Sequence, residues 1–142
     1  MRPLLRQGVL LLCLALLPAV GEALYFRDKV SWQARVAESD LIRVDLARAW
    51  GANALWLDAR PDADFEREHV PGAILLNEDR WNELLPPFLE QWSPEKKIVV
   101  YCSSQSCNLA GDVARRLREQ EKLPNEIRVL KGGWEEWLKT RK

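Results

Sequence analysis

The sequence predicts an α/β fold, in which a central and mainly parallel sheet has helices on both faces. From Leu41 to the end of the chain, short apolar runs alternate with amphipathic stretches that have helical spacing. Several of these runs are continuously apolar and rich in β-branched residues, as in strands that are buried on both faces. Alternation of such strands with helices is typical of a parallel sheet with crossover helices.

The predicted domain begins with a short edge strand, a helix and a buried strand. Leu41-Ile42 is an apolar pair that suits an edge strand. Val44 to Trp50 has apolar residues at helical spacing, and Gly51 suits the end of a helix. Ala54 to Leu57 is the next apolar run and predicts a buried strand.

A second helix, a turn and a third strand follow. We expect Asp62 to cap a short helix that runs through Phe65 to Glu68. The segment from His69 to Gly72 predicts a turn, in which His69 makes a stabilising hydrogen bond rather than acting as a catalytic base. Ala73 to Leu76 predicts another buried strand.

The central part of the chain combines an interrupted helix with a strand, a loop and a long helix. Pro86-Pro87 is expected to interrupt the helix that begins near Trp81, because proline removes a backbone donor. Ile98 to Tyr101 predicts a buried strand, and a polar loop follows it. The next helix has an apolar face made of Leu109, Ala110, Val113, Ala114 and Leu117.

The last predicted elements are a strand, a glycine turn and a closing helix. Ile127 to Leu130 is the strand, Gly132-Gly133 allows a tight turn, and one helix face carries Trp134, Trp137 and Leu138. Three polar or reactive residues follow strand ends, so we expect them to share the carboxyl edge of the sheet, where sites in parallel sheets gather. They are Asp58, Cys102 and Lys131.

Composition indicates one domain and argues against a nucleic-acid-binding protein. The 142 residues suffice for a single hydrophobic core. The formal net charge is zero, so a basic surface for nucleic acid is not expected. The seven tryptophans are scattered along the chain, and core packing is the expected role for most of them.

The N-terminus has the layout of a secretory signal peptide. Arg2 and Arg6 precede an apolar stretch from Gly8 to Val20, and small residues follow it. This stretch is shorter than the roughly 20 residues that span a bilayer, although an uncleaved anchor remains the alternative. We therefore expect a signal peptide over residues 1–23, an N-terminal arm over 24–38, a domain over 39–142, and a periplasmic location for the exported protein.

Cys102 has the chemical setting of a reactive thiol. It follows a buried strand and precedes the N-terminus of a helix, where unpaired backbone N–H groups and the helix dipole favour negative charge. A loop of small residues can also turn its N–H groups towards an anion. Such a setting lowers the pKa of a thiol and raises its reactivity at neutral pH. The alternative is a buried structural cysteine.

Three stretches resemble the rhodanese family, and in particular its single-domain exported bacterial members. They are Leu57 to Asn77, Val99 to Cys107 and Val129 to Trp137, and the resemblance covers residues 39–142. It implies a three-layer fold and a sulfurtransferase activity that needs no metal or organic cofactor. Cys102 would attack a small sulfur donor, such as thiosulfate or a persulfide, and pass the sulfur to an acceptor thiol, which includes protein thiols.

In that family the loop after the cysteine binds the transferred sulfur through its backbone N–H groups. Here the corresponding loop consists of Ser103, Ser104, Gln105, Ser106 and Cys107. Many members have arginine at the first and fifth of these positions and glycine at the third. This loop has no cation, so Arg60 and Lys131 are accessory candidates, and persulfide donors are favoured over the thiosulfate dianion. Phosphatase chemistry is not expected, because the related phosphatases need a longer loop with an arginine.

Cys107 leaves further readings open. In an oxidising compartment Cys102 and Cys107 can form a disulfide and act as a thiol-disulfide redox pair, if their Cα atoms lie within about 7 Å. Cys107 can equally be a packing residue beneath the start of the helix. A catalytically silent binding module on the same fold is a third reading, and an ordinary Cys102 thiol pKa would favour it.

Overall fold

The structure, a computed structural model, describes Gln7 and residues 36–104 and 108–141. The chain divides into two units, Met1–Gln33 and Ala34–Lys142. The predicted signal peptide, most of the predicted arm and the loop residues 105–107 lie outside the described residues. Within the described ranges, no helix has the length and apolar character needed to cross a membrane.

Five parallel strands form one sheet, which confirms the predicted fold class. In chain order they are β1 (Leu41–Ile42), β2 (Ala54–Asp58), β3 (Ile74–Leu75), β4 (Lys97–Tyr101) and β5 (Ile127–Leu130). Their order across the sheet is β1-β5-β4-β2-β3, and every neighbouring pair is parallel. Strand β4 is therefore central, and the segment that follows it begins at the middle of the carboxyl edge.

Five α-helices connect or flank the strands. They are α1 (Val44–Ala49), α2 (Asp62–Arg67), α3 (Trp81–Gln91), α4 (Leu109–Glu119) and α5 (Gly133–Lys139). Short 3-10 helices cover Glu38–Asp40 and Gly51–Asn53. As predicted, Gly51 ends the first helix, and its φ of +54° is one that glycine adopts without steric cost.

Two apolar clusters cover the two faces of the sheet. Alternate residues of one strand point to opposite faces, so Leu57 joins a cluster with Phe88 of α3 and Val113 of α4, whereas Trp56 joins one with Trp137 of α5. Each large side chain that is fully buried contributes about 1.5–3 kcal/mol through its removal from water. The prediction of helices on both faces is therefore confirmed.

The prolines do not interrupt the third helix, which corrects the sequence-based expectation. Helix α3 runs continuously through Pro86 and Pro87. These prolines leave the carbonyl groups of Asn82 and Glu83 without their helical donors, and both residues are exposed, so water can solvate them. Buried Trp81 and Phe88 hold the helix against the core at both sides of the proline pair.

Asp62 does not cap the second helix, as had been expected. The N-cap residue is Pro61, and no side chain makes a capping hydrogen bond there. Asp62 is instead the first helical residue, and its carboxylate accepts hydrogen bonds from Asn77 and Arg80. These bonds lower the pKa of Asp62 below its usual value. They connect the start of α2 to the segment that follows β3.

Burial was predicted wrongly for one strand and for two helical residues at the periphery of the domain. Strand β3 is shorter than predicted and half-buried, because it lies at the edge of the sheet and pairs with β2 alone. Leu109 and Leu138, which were predicted to face the core, are both exposed. Each lies near an end of its helix, where the sheet no longer covers the helical face.

Candidate functional site

The carboxyl edge of the sheet brings together the three strand-end residues that the sequence predicted. Asp58 ends β2 and lies opposite Tyr101 of β4. Cys102 directly follows Tyr101, and Lys131 directly follows β5. Since β2, β4 and β5 are adjacent and parallel, these residues occupy neighbouring positions on one edge.

Cys102 is buried and oxidised in this structure. Its residue is only 2% exposed, and it takes part in a disulfide. The other two cysteines of the chain, Cys13 and Cys107, lie outside the described residues. The sulfur of Cys102 also lies 3.6 Å from the carbonyl oxygen of Ser104, so the backbone turns back towards the sulfur within two residues.

The N-terminus of helix α5 holds the start of the cysteine loop. The backbone N–H of Trp134 donates a hydrogen bond of 2.7 Å to the carbonyl oxygen of Cys102. The N–H of Glu135 donates one of 3.2 Å to the carbonyl oxygen of Ser103. These bonds use donors that have no partner inside a helix. Two successive carbonyl groups of the loop therefore point towards α5.

Those carbonyl directions also determine the directions of two loop amides. The described peptide bonds are all trans, and in a trans peptide the C=O and N–H groups point to opposite sides. Because the carbonyl groups of Cys102 and Ser103 face α5, the N–H groups of Ser103 and Ser104 face away from it. Consecutive N–H groups on one side of a loop can bind an anion.

A glycine pair permits this close approach. Gly132 and Gly133 have φ values of +79° and +56°, as the predicted tight turn requires. A Cβ atom on Gly133 would overlap the carbonyl oxygen of Cys102. Any larger residue at that position would therefore push the helix and the loop apart.

A buried ion pair lies at the end of β2, beside the cysteine strand. The Arg60 guanidinium binds the Asp58 carboxylate through Nε at 3.0 Å and Nη2 at 2.7 Å, and Nη2 also donates to the carbonyl oxygen of Glu68. Arg60 is 4% exposed and Asp58 is fully buried. Burial acts to lower the pKa of Arg60, but the hydrogen bonds and charge of Asp58 outweigh it and raise that pKa.

Tyr101 joins this ion pair from the central strand. Its hydroxyl donates a hydrogen bond of 2.7 Å to Oδ2 of Asp58 and accepts one of 3.1 Å from the N–H of Val70. Burial, followed by the hydrogen bond to Asp58, raises the pKa of Tyr101 well above its ordinary value. The hydroxyl therefore stays protonated throughout the physiological range.

Trp134 connects the ion pair to helix α5. The guanidinium carbon of Arg60 lies 4.6 Å from the centre of the Trp134 ring, and the Tyr101 ring stacks on that indole at 6.2 Å. Sequence reasoning proposed Arg60 but did not identify Trp134 or Tyr101. The signal for Trp134 was its place directly after the Gly132-Gly133 turn, whereas Tyr101 read only as a buried strand residue.

Lys131 lies apart from the Arg60 network. Its Nζ is 3.3 Å from Oε2 of Glu38, in a half-exposed ion pair. It also lines a surface cavity of about 400 Å³, together with Arg43, Val44, Asp45, Gly132 and Glu136. Lys131 therefore faces an open, mixed-charge depression at the end of β1 and β5.

His69 has no direct place in this arrangement. Nδ1 of His69 lies 2.8 Å from the carbonyl oxygen of Phe65, and its ring stacks on the Phe65 ring, which agrees with the predicted structural role. Among residues 36–104 and 108–141, no group of three or more His, Cys, Asp or Glu side chains is placed to hold a metal ion.

Comparison with known proteins gives a family and a fold. The profile of the rhodanese-like domain matches residues 45–140. A crystal structure of a Bacillus halodurans protein is similar, with 25% identity, a TM-score of 0.55, and coverage of 86% of this chain and 81% of that one. A rhodanese-related protein from Thermoplasma volcanium has 16% identity, a TM-score of 0.51, and coverage of 70% and 91%.

A curated relative shares the domain within a longer protein. It is an HTH-type transcriptional regulator of Mycobacterium tuberculosis, 30% identical over 101 residues. The match covers 70% of this chain but 42% of the regulator, so the chain spans about two fifths of that relative. The family profile spans most of the described domain, including the strand, the loop and helix α5 around Cys102. This chain therefore belongs to the rhodanese-like domain family.

Proposed function

We propose that this protein is a sulfurtransferase, in which Cys102 carries sulfane sulfur as a persulfide between a donor and a thiol acceptor. The observation that carries the proposal is the pair of hydrogen bonds from α5 to the carbonyl groups of Cys102 and Ser103. They turn the amides of Ser103 and Ser104 to the opposite side of the loop. Amides fixed in this way can stabilise negative charge on a bound sulfur without reorganising during the reaction.

The first step loads the cysteine. The thiolate of Cys102 attacks the outer sulfur of the donor, so a new S–S bond forms to Cys102 while the donor's own S–S bond breaks. The bonding electron pair leaves with sulfite when the donor is thiosulfate, or with a thiolate when the donor is a persulfide. The enzyme then holds a Cys102 persulfide.

The second step unloads the sulfur. An acceptor thiolate attacks the terminal sulfur of the persulfide, and the bond between that sulfur and Cys102 breaks. The electron pair returns to Cys102 as a thiolate, and the acceptor leaves as a persulfide. Neither step calls for a metal or an organic cofactor, because both are displacements at sulfur.

The disulfide at Cys102 sets a condition on this cycle. A disulfide sulfur has no thiolate pair with which to attack a donor. A thiol reductant must first supply two electrons and convert the disulfide to two thiols. We therefore expect the reduced protein to transfer sulfur and the oxidised protein to be silent until it is reduced.

The loop composition bears on the choice of donor. Ser103 and Ser104 carry no charge, and Arg60 is buried against Asp58 with its guanidinium committed to that carboxylate and to Glu68. Lys131 pairs with Glu38 on the surface. A doubly charged donor gains little from these cations, so we propose a persulfide as the preferred donor.

The test is the intact mass of the reduced protein before and after exposure to a persulfide donor or to thiosulfate. A species heavier by one sulfur, absent in Cys102→Ser, is the expected result. If Cys102→Ser gains the same sulfur, or if neither donor adds mass to the wild type, the proposal is overturned. Comparing the two donors also ranks them.

The disulfide favours a second candidate, a thiol-disulfide redox protein that uses Cys102 and Cys107. This candidate predicts a reduced form that loses two hydrogens on oxidation and does not respond to a sulfur donor. Cys107→Ser should abolish that cycling. Redox cycling that persists in Cys107→Ser would exclude this candidate and leave the persulfide carrier.

We also propose that the protein works outside the cytoplasm, as a periplasmic protein after removal of residues 1–23. The apolar segment after Arg2 and Arg6 supports this proposal. Cell fractionation with N-terminal sequencing tests it. A start near Ala23 in the soluble periplasmic fraction is expected, whereas an intact N-terminus in the membrane fraction would indicate an anchored protein.

A further inference from the structure

We infer that Trp134 is a positioning residue for Cys102, fixed in place by the buried guanidinium of Arg60. This inference rests on the proposed function, in which the loop amides stabilise the reacting sulfur. Trp134 does not need to touch the substrate for this role. It acts through the backbone of helix α5, whose first N–H groups hold the loop.

Trp134 contacts both the cysteine loop and Arg60, the first through its backbone and the second through its indole. The backbone N–H of Trp134 holds the carbonyl oxygen of Cys102 at 2.7 Å, and its indole lies against Arg60 at 4.6 Å. A guanidinium over an indole ring is attracted to its π face, and the attraction is stronger when the guanidinium is desolvated, as the buried Arg60 is. Movement of the indole would therefore move the donor that holds the cysteine carbonyl.

The guanidinium of Arg60 is itself held in one position. Its guanidinium makes two bonds to Asp58 and one to the backbone of Glu68, and the residue is 4% exposed. Asp58 is in turn bound by the hydroxyl of Tyr101, the residue that precedes Cys102. The contacts therefore run from Tyr101 at the end of β4 through Asp58 and Arg60 to Trp134. Trp134 is the residue of this network that binds the carbonyl group of Cys102.

The backbone of helix α5 packs tightly against the cysteine loop. The Gly133 backbone packs directly on the carbonyl group of Cys102, closer than any side chain would permit. A small shift of α5 would therefore change the directions of both loop carbonyl groups. By the trans geometry of the peptides, it would also turn the amides of Ser103 and Ser104.

The test compares Trp134→Leu, Trp134→Phe and the wild type in the full-length, reduced protein. Leucine removes the aromatic face but keeps the backbone N–H, whereas phenylalanine keeps an aromatic face for Arg60. The first readout is the pKa of the Cys102 thiol, taken from the pH dependence of its alkylation rate and assigned to Cys102 by tandem mass spectrometry. The second is the kcat and KM of sulfur transfer.

A matched control is available at Trp50. It is a half-buried tryptophan with a cation, Lys97, 4.8 Å from its ring centre, and it packs on the same face of the sheet as Trp134. Trp50→Leu therefore removes a similar contact at a residue whose backbone N–H bonds to Ala47 rather than to the cysteine loop. It reports how much a general loss of packing affects the thiol.

In Trp134→Leu we expect the thiol pKa to rise by about one unit, which is a tenfold smaller thiolate fraction well below the pKa. We expect kcat to fall about tenfold with a smaller change in KM, because the lost effect is on the reacting sulfur. Trp134→Phe should recover most of both values. Trp50→Leu should match the wild type in both, whatever its melting temperature.

Three outcomes separate the inference from the function it rests on. If the wild type forms a persulfide and Trp134→Leu keeps the wild-type thiol pKa and kcat, Trp134 is merely structural and the inference is overturned. If the wild type forms no persulfide, the proposed function fails, while the alkylation data still decide whether Trp134 positions the thiol. If Trp134→Leu does not fold, Arg60→Lys replaces it, because lysine keeps the charge beside Asp58 but loses the planar stack on Trp134. We expect the same rise in the thiol pKa in Arg60→Lys, and a wild-type thiol pKa and kcat in that variant would overturn the inference.

Discussion

The hydroxyl of Tyr101 and the carboxylate of Asp58 share a hydrogen bond of 2.7 Å that joins strands β4 and β2 at their carboxyl ends. The bond is fully buried, and Cys102 is the first residue after β4. Asp58 thereby has partners on two sides, Arg60 and Tyr101, which a buried carboxylate needs. The carboxyl end of β4 is therefore held by a hydrogen bond to a charged carboxylate, as well as by the backbone hydrogen bonds of the sheet.

Replacing Tyr101 by phenylalanine should lower the free energy of unfolding by about 1–3 kcal/mol. The change removes one donor to buried Asp58 and one acceptor from the N–H of Val70, and it leaves the ring that stacks on Trp134. Urea unfolding followed by tryptophan fluorescence gives the measurement. A variant as stable as the wild type would show that water replaces the hydroxyl.

The same bond predicts a loss of stability at alkaline pH. Burial, followed by the hydrogen bond to Asp58, raises the folded-state pKa of Tyr101 above its ordinary value of 10.0. Above that pH an unfolded chain therefore loses the phenol proton while the folded chain keeps it. Stability from this group is therefore complete below pH 10.0 and falls as the pH rises further, by about 1.4 kcal/mol for each pH unit. Tyr101→Phe should have a shallower alkaline slope in unfolding experiments, and equal slopes would contradict the assignment.

Gly133→Ala should disrupt the contact between helix α5 and the cysteine loop. Gly51→Ala is its control, because Gly51 has nearly the same φ, +54° against +56°, but has no atom within 4 Å of an added Cβ. In both variants alanine must adopt a positive φ, which lowers the free energy of unfolding by roughly 1 kcal/mol or more. The overlap with the carbonyl oxygen of Cys102 lowers it further only in Gly133→Ala. Melting temperatures and sulfur-transfer rates provide the comparison. Equal losses in the two variants would mean that the close contact has no energetic weight.

Ser103→Arg should raise the kcat/KM for thiosulfate. Ser103 is exposed, so a longer side chain can be accommodated, and an arginine there supplies the charge-assisted hydrogen bonds that the described loop residues lack. We expect about a tenfold gain with thiosulfate and a smaller gain with a persulfide donor, which carries less charge. Ser103→Gln, which lengthens the side chain without charge, is the control. A gain in the glutamine variant equal to that in the arginine variant would exclude the electrostatic explanation.

The sequence predicted the central elements well, because their signals are local. Strand β4 contains the uninterrupted apolar run Ile98 to Tyr101, and β5 is apolar except for Arg128. The place of Cys102 after β4 follows directly from this pattern. The helix that begins at Trp81 was predicted, but its continuity through Pro86 and Pro87 was not, because tertiary packing of Trp81 and Phe88 overrides the local penalty of proline.

The site network was beyond sequence reasoning for a different reason. Arg60 could be named from its place near a strand end, but its stacking on Trp134 depends on how distant segments pack. A pattern in one segment carries no information on which side chain from another segment lies against it. The direction of the loop carbonyl groups has the same origin, since α5 imposes it from outside the loop.

The two ends of the sheet have a consequence for the behaviour of the protein in crowded surroundings. Strands β1 and β3 each contain only two residues, so each edge offers a very short row of backbone groups to another chain. Long, flat edges invite strand addition and aggregation, and short edges prevent it. Strand β4 has a neighbouring strand on both sides from Ile98 to Val100, whereas β2 has one on both sides only at Leu57 and Asp58. The central strand, which Cys102 follows, is therefore closed to strand addition by another chain.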